Sequence, residues 1–383
     1  MNNTRLTLLA SMLVTFVLGS VHAFSVFLVP LETLLQQPRS EISLIYSFAL
    51  VALTLAVLLG HRIYGLLPSW LLVLCTCLLA AAGLALAALA VNWWMLFLGY
   101  SLAFGFCNGI GYGYSLQLVG RVMPQIRGFA MGAVTAAYAV GSIVFAKVFA
   151  WRIAVASLQS ALLTIAIVLV CCGLLAALML WISGASYGRP ADDDHRSGSI
   201  DRIKVAQFWL AYMASVFAGL MAIGHAAGIA LSKDAGPELA TLAAITIGSG
   251  SALGGFLAGW LVDRWPVTRL LVGLPLVAAL TLLVISLTPT APIVVGLLSL
   301  VGFSYGSIIA VYPVAIANYF AVRGPQAYGQ VFTAWGFAGL VAPWSAGLIY
   351  DLHADYELAM IIAAVIALGS ALCAACFRLE RAP

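Results

Sequence analysis

Long apolar segments constrain the fold of this chain more than any other feature. A helix needs about 20 apolar residues to cross a bilayer, and only 8% of the 383 residues are charged, against about 25% in a soluble domain. Twelve segments qualify, near 6–30, 41–60, 70–90, 93–119, 128–150, 153–182, 206–231, 239–262, 268–288, 292–319, 327–350 and 357–377. The sequence therefore predicts an all-α membrane protein with twelve transmembrane helices. The lack of ten-residue segments with period-two alternation argues against an outer-membrane barrel.

The lysines and arginines predict the orientation, because basic residues accumulate in cytoplasmic loops. With the N-terminus inside, the cytoplasmic stretches contain Arg5, Arg62, Arg121, Arg127, Arg189, Arg196, Arg202, Lys204, Arg264, Arg269, Arg323, Arg378 and Arg381. The outer loops contain Arg39, Arg152 and Lys233. We therefore expect both termini in the cytoplasm and a location in the plasma membrane, as in a bacterial inner membrane. The net charge of +4 follows from this topology and does not indicate nucleic-acid binding.

A cleavable leader is the alternative interpretation of the first segment. Arg5, an apolar run and Val21-His22-Ala23 resemble such a leader. However, the apolar run continues to Leu31, and cleavage would leave eleven helices with the N-terminus outside. We therefore predict that the first segment remains as a transmembrane helix.

Two motifs recur along the chain at nearly one spacing. Residues 105–109 (GFCNG) match residues 302–306 (GFSYG) at an offset of 197. Thr135-Ala136 with Gly141 matches Thr333-Ala334 with Gly339 at an offset of 198. The longest polar stretch, which includes Asp192-Asp193-Asp194, separates the sixth and seventh segments. The sequence thus predicts a six-helix bundle over 1–182, a cytoplasmic linker over 183–205 and a second six-helix bundle over 206–383, related by a pseudo-two-fold axis.

The loop after the eighth segment carries a recognisable motif. Residues 259–269 (GWLVDRWPVTR) resemble the G-x-L-x-D-R-x-G-x-x-R loop of the major facilitator superfamily. In that family the aspartate caps a neighbouring helix and the arginines hold the cytoplasmic gate. The resemblance therefore implies gating roles for Asp263, Arg264 and Arg269. The equivalent loop after the second segment contains Arg62 but lacks the aspartate, so the closing interaction there is missing or replaced.

A closer resemblance rests on the fourth, fifth, tenth and eleventh segments. Residues 328–339, followed by Ala342-Pro343 and Tyr350-Asp351, are similar to helix 11 of the oxalate/formate antiporters. Residues 127–132 resemble the start of helix 5 in that family and in the monocarboxylate transporters. The resemblance implies a small organic anion as substrate. Members commonly carry an arginine in helix 8, and some carry a lysine in helix 11; these cations would hold a dicarboxylate in a cationic clamp. This chain has Gly255 and Trp335 at those positions, so the two cations are absent.

The fourth segment combines glycines with polar side chains. Gly105, Gly109 and Gly113 recur every four residues and form one stripe, which favours close helix packing in a membrane. Repeats of six helices place the substrate site of a transporter near the membrane midplane. We predict a central cavity lined by polar and aromatic residues of the fourth, fifth, tenth and eleventh segments: Asn108, Tyr112, Tyr114, Gln117, Tyr138, Tyr305, Tyr312 and Trp335. Packing and interhelical hydrogen bonding are the alternative.

Ionisable residues inside a membrane are candidates for function. His22 and His225 lie well inside the first and seventh segments, and an imidazole titrates near neutral pH. Either histidine could contact substrate and couple transport to protons, or could simply donate a hydrogen bond to a backbone carbonyl. Lys147 lies near the outer end of the fifth segment, where it could attract an anion or extend to the membrane surface.

These features together predict a secondary transporter that works by alternating access, as an antiporter or a symporter. The expected substrate is a small organic anion or a neutral metabolite, and the expected assembly is a monomer. The alternative is an exporter of a larger amphipathic or drug-like compound. An intramembrane enzyme would need a metal motif or a paired nucleophile and base, and the sequence shows neither. We therefore predict no enzymatic activity, no cofactor and no metal.

Overall fold

The computed structural model of the protein describes residues 3–187, 201–320 and 324–376, and these residues are predominantly helical. Among them, twelve helices are long and apolar enough to cross a membrane, which confirms the predicted fold class. Their bounds are α1 Asn3–Leu35, α2 Arg39–Ile63, α3 Ser69–Ala88, α4 Trp93–Val122, α5 Arg127–Val155, α6 Leu158–Ser183, α7 Arg202–Leu231, α8 Pro237–Arg264, α9 Val267–Leu287, α10 Ala291–Phe320, α11 Gly324–His353 and α12 Glu357–Ala375.

Two of the helices contain stretches of altered winding. The backbone of α1 tightens to a 3-10 helix over Gly19–Phe27, and α4 widens to a π-helix over Phe97–Phe104, immediately before the glycine-rich stretch. Such changes of winding often accompany functional sites in helices. Prolines lie inside α10 and α11, at Pro313 and Pro343. A membrane helix tolerates a proline where neighbouring groups satisfy the freed backbone.

The contacts divide the chain into two compact units. The first unit comprises Met1–Val21, Phe48–Gly141 and Arg152–Ser199. The second unit comprises His22–Ser47, Ser142–Trp151 and Ile200–Pro383. One end of α1, one end of α2 and a stretch of α5 therefore belong with helices from the second half of the sequence. The predicted bundles 1–182 and 206–383 rest on the internal similarity of the sequence and stay a prediction. The linker over 183–205 also stays a prediction, and its residues 188–200 lie outside the described part of the chain.

The glycines of α4 bring its backbone against α2 within the first unit. A Cβ atom on Gly105 would lie 2.7 Å from the carbonyl oxygen of Ala49. A Cβ atom on Gly109 would collide with the Leu53 carbonyl oxygen and lie 2.8 Å from the Ala56 Cβ. The predicted packing stripe is thus confirmed, because a side chain at either position would force the two helices apart.

The second unit repeats this arrangement between α8 and α10. A Cβ atom on Gly302 would collide with the carbonyl oxygen of Ile247, and one on Gly306 with that of Ser251. These two glycines stand 197 positions after Gly105 and Gly109. Each unit therefore contains a tightly packed helix pair that is formed by the motif that the repeat analysis identified.

Candidate functional site

Asn108 lies at the centre of a polar contact in the first unit. Its side chain is completely buried. The Nδ2 group donates to the backbone carbonyl of Leu18 at 2.6 Å, and Oδ1 accepts from the Tyr138 hydroxyl at 2.9 Å. The Tyr112 ring packs against the Tyr138 ring with their centroids 4.8 Å apart. Three helices, α1, α4 and α5, therefore meet at one amide, whose nitrogen and oxygen each make one of these hydrogen bonds.

The second unit contains a matching pair of side chains on α10 and α11. The indole Nε1 of Trp335 donates to the Tyr305 hydroxyl at 2.9 Å. Tyr305 stands 197 positions after Asn108, and Trp335 stands 197 positions after Tyr138. In each pair the donor lies on the later helix and the acceptor on the earlier one. Sequence reasoning selected all four residues but missed this pairing, because the motif of the fifth and eleventh segments repeats at an offset of 198, which aligns Tyr138 with Gly336 instead of Trp335.

Glycines set the closest helix contacts around both pairs. A Cβ atom on Gly19 would collide with the backbone carbonyl of Tyr138. In the second unit, a Cβ atom on Gly219 would lie 2.5 Å from the Tyr305 side chain. Helices α1 and α7 thus approach the two pairs closely only because they present glycine there. The ring of Phe332 stacks parallel to that of Trp335, with centroids 5.7 Å apart, and adds an aromatic surface.

His225 belongs to a polar cluster at one end of the second unit. The cluster, called here the end cluster, comprises Glu32, Arg39, His225, Tyr350, Asp351 and Tyr356. His225 Nε2 lies 2.7 Å from the Pro343 carbonyl oxygen, and Nδ1 lies 2.9 Å from the Tyr356 hydroxyl. The imidazole is completely buried, and its hydrogen-bond partners lie on α11, on the residue that precedes α12 and, through the Ser43 hydroxyl, on α2.

Arg39 occupies the same cluster and is only 5% exposed. Its Nε and Nη2 groups bind the two carboxylate oxygens of Glu32, the latter at 2.8 Å. Its Nη1 group donates to the Tyr356 hydroxyl at 3.0 Å, and the guanidinium carbon lies 3.7 Å from the centroid of the Tyr350 ring. A buried guanidinium is tolerated because carboxylate, hydroxyl and aromatic partners replace its water.

Asp351 connects the end cluster to the first residues of α2. Its Oδ1 accepts from the backbone N–H of Arg39 and its Oδ2 from that of Ser40, both at 2.8 Å. The first N–H groups of a helix find no acceptor within it, and a carboxylate there also meets the positive end of the helix dipole. Sequence reasoning did not select Arg39, Asp351 or Tyr356 as site residues. The one feature of the sequence that pointed to this cluster was Arg39 itself, a single arginine beside the first outer loop.

His22 lies in the second unit but makes a different contact. Its Nδ1 is 2.7 Å from the Tyr46 hydroxyl. The Tyr46 ring stacks on Phe24 with centroids 5.2 Å apart, and its edge would lie 3.1 Å from a Cβ atom on Gly224. Both predicted histidines are therefore held by tyrosine hydroxyls, yet the bonds described for His22 do not include the residues of the end cluster.

The remaining predicted lining residues lie apart from the two hydrogen-bonded pairs. Tyr114 is buried against Tyr64 and Tyr187 in the first unit. Tyr312 is buried against Tyr212, with ring centroids 4.5 Å apart. Gln117 is exposed on the surface of α4. The structure thus brings together Asn108, Tyr112 and Tyr138 in one unit, and Tyr305 and Trp335 in the other.

The predicted gating residues and Lys147 lie mostly at exposed positions. The side chains of Arg62, Lys147, Arg264 and Arg269 are exposed. Arg269 lines an open surface cavity of about 440 Å³ together with Thr268, Val272 and Ala375. The backbone of Asp263 belongs to α8, whereas its side chain lies outside the described residues. Its predicted role as a helix cap therefore stays a prediction.

The loop after α2, which lacks the aspartate of the motif, leads into an aromatic cluster. The Tyr64 ring packs edge-on against Tyr187, with centroids 5.5 Å apart. Arg121 Nη1 donates to the Tyr187 carbonyl at 2.8 Å, and its guanidinium carbon lies 3.8 Å from the Tyr187 ring. Burial raises the pKa of Tyr187, and the charge of Arg121 opposes that shift. Cation–π and hydrogen-bond contacts thus anchor the start of the polar stretch to α4.

Comparison with known proteins places this architecture in a family. The family model of the Major Facilitator Superfamily matches residues 8–324 and 208–383. The uncharacterized MFS-type transporter YhjX of Escherichia coli (strain K12) is 23% identical over 355 residues, which are 88% of this chain and 85% of that protein.

Solved structures share the fold at low sequence identity. A bacterial homologue of the human lysosomal transporter Spinster, in an inward-facing and unoccupied conformation, matches with a TM-score of 0.73 and 14% identity over 97% of this chain and 96% of that chain. The nucleoside transporter NupG, solved as a point mutant, matches with a TM-score of 0.73 and 14% identity, over 97% of this chain and 99% of that chain. Because the family model matches nearly the whole length of this chain, the chain belongs to the Major Facilitator Superfamily of membrane transporters.

Proposed function

We propose that the protein is a secondary active transporter that moves a small organic anion or a neutral metabolite by alternating access. The observation that carries this proposal is the repeated pair of hydrogen-bonded side chains, Tyr138 with Asn108 and Trp335 with Tyr305. In a repeat-built transporter the substrate site lies near the membrane midplane, at the interface of the repeats. Polar side chains in the apolar interior of a membrane protein are costly to bury, so they mark sites of packing or binding.

The chemistry of the two pairs supports an uncharged or weakly charged substrate. The amide, hydroxyl and indole groups are neutral, and the indole can only donate a hydrogen bond. The rings of Tyr112, Tyr138, Phe332 and Trp335 add flat apolar surfaces. Neutral hydrogen-bonding groups and flat rings of this kind suit a small carboxylate or a planar neutral metabolite. The resemblance to oxalate/formate antiporters favours the carboxylate, and the missing cationic clamp favours the neutral metabolite.

The remaining features of the proposal follow from the sequence. The lysine and arginine distribution supports a plasma-membrane protein with both termini in the cytoplasm. We also expect it to act as a monomer. Symport or exchange with protons is the expected form of coupling, with His22 and His225 as the titratable side chains within the helices. Arg62, Asp263, Arg264 and Arg269 are the expected cytoplasmic gating residues.

Uptake by proteoliposomes tests the proposal. Radiolabelled formate, oxalate, lactate and a neutral nucleoside are supplied in turn to vesicles that contain the purified protein. Tyr138→Phe and Trp335→Phe each remove one donor of a pair, so transport of the substrate should fall by about fivefold or more, which corresponds to one hydrogen bond of about 1 kcal/mol. Tyr212→Phe is the matched control, because it removes a buried hydroxyl outside both pairs. Equal transport by all three variants would refute the assignment of the pairs.

A further inference from the structure

We infer that the end cluster is a lock released by protons, with His225 as the group that accepts the proton. The cluster holds the first turn of α2 against α11 and the residue before α12, through Arg39, Asp351 and Tyr356. The inference rests on the proposed transport function, because alternating access requires that helices from the two halves of the sequence separate at this end.

The hydrogen bonds of the lock have a defined direction. The Pro343 carbonyl can only accept, so the His225 Nε2 at 2.7 Å carries a hydrogen. In a neutral imidazole the Nδ1 atom is then an acceptor, and the Tyr356 hydroxyl at 2.9 Å donates to it. The oxygen of that hydroxyl accepts in turn from Arg39 Nη1. A chain of donors therefore runs from Arg39 through Tyr356 and His225 to Pro343, and it requires a neutral histidine.

Protonation of His225 would reverse its hydrogen bond with Tyr356 and leave the tyrosine hydroxyl hydrogen without its acceptor. An imidazolium carries a hydrogen on Nδ1 as well, so the tyrosine hydroxyl could no longer donate to it. The hydroxyl oxygen would then face two cationic donors, His225 and Arg39. An uncompensated charge at a completely buried position is strongly disfavoured. Separation of the helices relieves this cost, because water can then hydrate the imidazolium.

The charged and titratable groups around His225 determine the sign of the effect. From α2 it faces Arg39 and the Ser43 hydroxyl, which lies 3.3 Å from Nε2. The carboxylate of Glu32 from α1 is engaged by Arg39, and the carboxylate of Asp351 from α11 is engaged by the first turn of α2. The Tyr350 ring covers the guanidinium. The Glu32 carboxylate thus neutralises Arg39, and the Asp351 carboxylate attracts an imidazolium, whereas the Arg39 guanidinium and the complete burial of His225 oppose its protonation. Opening removes the burial, so acid should favour the released form.

The expected size of the effect follows from linkage. The locked form excludes the proton, and a histidine in water titrates near pH 6.5. Lowering the pH from about 7.5 to about 5.5 should therefore raise the ratio of released to locked protein by about tenfold. The locked form is thus favoured above neutral pH. It is lost as the pH falls through about 6.5, where the imidazole of the released form becomes protonated.

Thiol labelling measures the lock directly. Ser40→Cys is introduced into a chain whose seven native cysteines are replaced by serine, because Ser40 is only 9% exposed beside Gly347 of α11. The rate at which Ser40→Cys reacts with a membrane-impermeant maleimide is divided by the rate for His353→Cys, an exposed position at the same end. This ratio cancels the intrinsic effect of pH on the reactivity of a thiol. The ratio should rise by about tenfold between pH 7.5 and 5.5.

Three variants separate His225 from the other groups. His225→Gln can accept from Tyr356 or donate to Pro343 but cannot titrate, so the ratio should no longer depend on pH. His22→Gln is the matched control and should keep the full pH response. Tyr356→Phe should give high labelling at both pH values, and it carries the same test if His225→Gln does not fold. A pH-independent ratio in the parent chain, or an unchanged response in His225→Gln, would overturn the inference.

Transport assays keep this inference distinct from the proposed function. A labelling ratio that depends on pH through His225, in a protein that transports none of the solutes offered, would support the lock and count against the substrate class. Transport that is impaired by Tyr138→Phe, together with pH-independent labelling, would support the function and refute the lock.

Discussion

Gly109→Ala is the most direct test of the helix pair that supports the candidate site. An added Cβ atom would collide with the Leu53 carbonyl oxygen and lie 2.8 Å from the Ala56 Cβ. Carbon atoms in contact normally lie about 3.5–4.0 Å apart, so α2 and α4 must separate by roughly 1 Å. Overpacking of this kind costs about 1–3 kcal/mol. The displacement would also move Asn108, the adjacent residue in α4, away from Tyr138.

Thermal unfolding of the purified protein and uptake by proteoliposomes measure the two consequences. Gly109→Ala should lower the unfolding midpoint and reduce transport, and Gly109→Leu should do so more severely. Gly369→Ala in α12 is the matched control, since no atom of the described residues lies within 4 Å of its added Cβ and alanine gains about 1 kcal/mol in helix propensity. If Gly109→Ala matched Gly369→Ala in stability and uptake, the reasoning from close backbone packing would be wrong.

Two further predictions concern the ends of the helices. Asp351→Asn should weaken the cap on α2 by about 1 kcal/mol. Hydrogen exchange at the backbone amides of Arg39 and Ser40 should therefore become roughly fivefold faster, and an unchanged exchange rate would exclude a capping role for the carboxylate. Asp263→Asn should shift the population toward the form that is open to the cytoplasm, as cysteines engineered on that side would report, and unaltered labelling would refute the gating role implied by the family motif.

Hydropathy and motif spacing predicted the parts of the structure that depend on local sequence. Twelve apolar segments became twelve membrane helices because a bilayer offers no water to unpaired backbone groups, so each segment must satisfy them internally. The stripe of Gly105 and Gly109 predicted a close helix contact because residues four apart share one helix face. The loop after α8 indicated the superfamily that the family model matches. The oxalate/formate resemblance and the roles of the selected site residues stay predictions.

The sequence by itself therefore determined the twelve spans, the family and which helix faces are small or polar. Only the tertiary structure decided which polar groups meet. Arg39 and Asp351 are 312 positions apart, and Ser43 and His225 are 182 apart, so no periodicity within a helix links them. Their contacts arise because glycines and prolines set how closely particular helices approach, and because each buried polar group must find a partner where water is excluded.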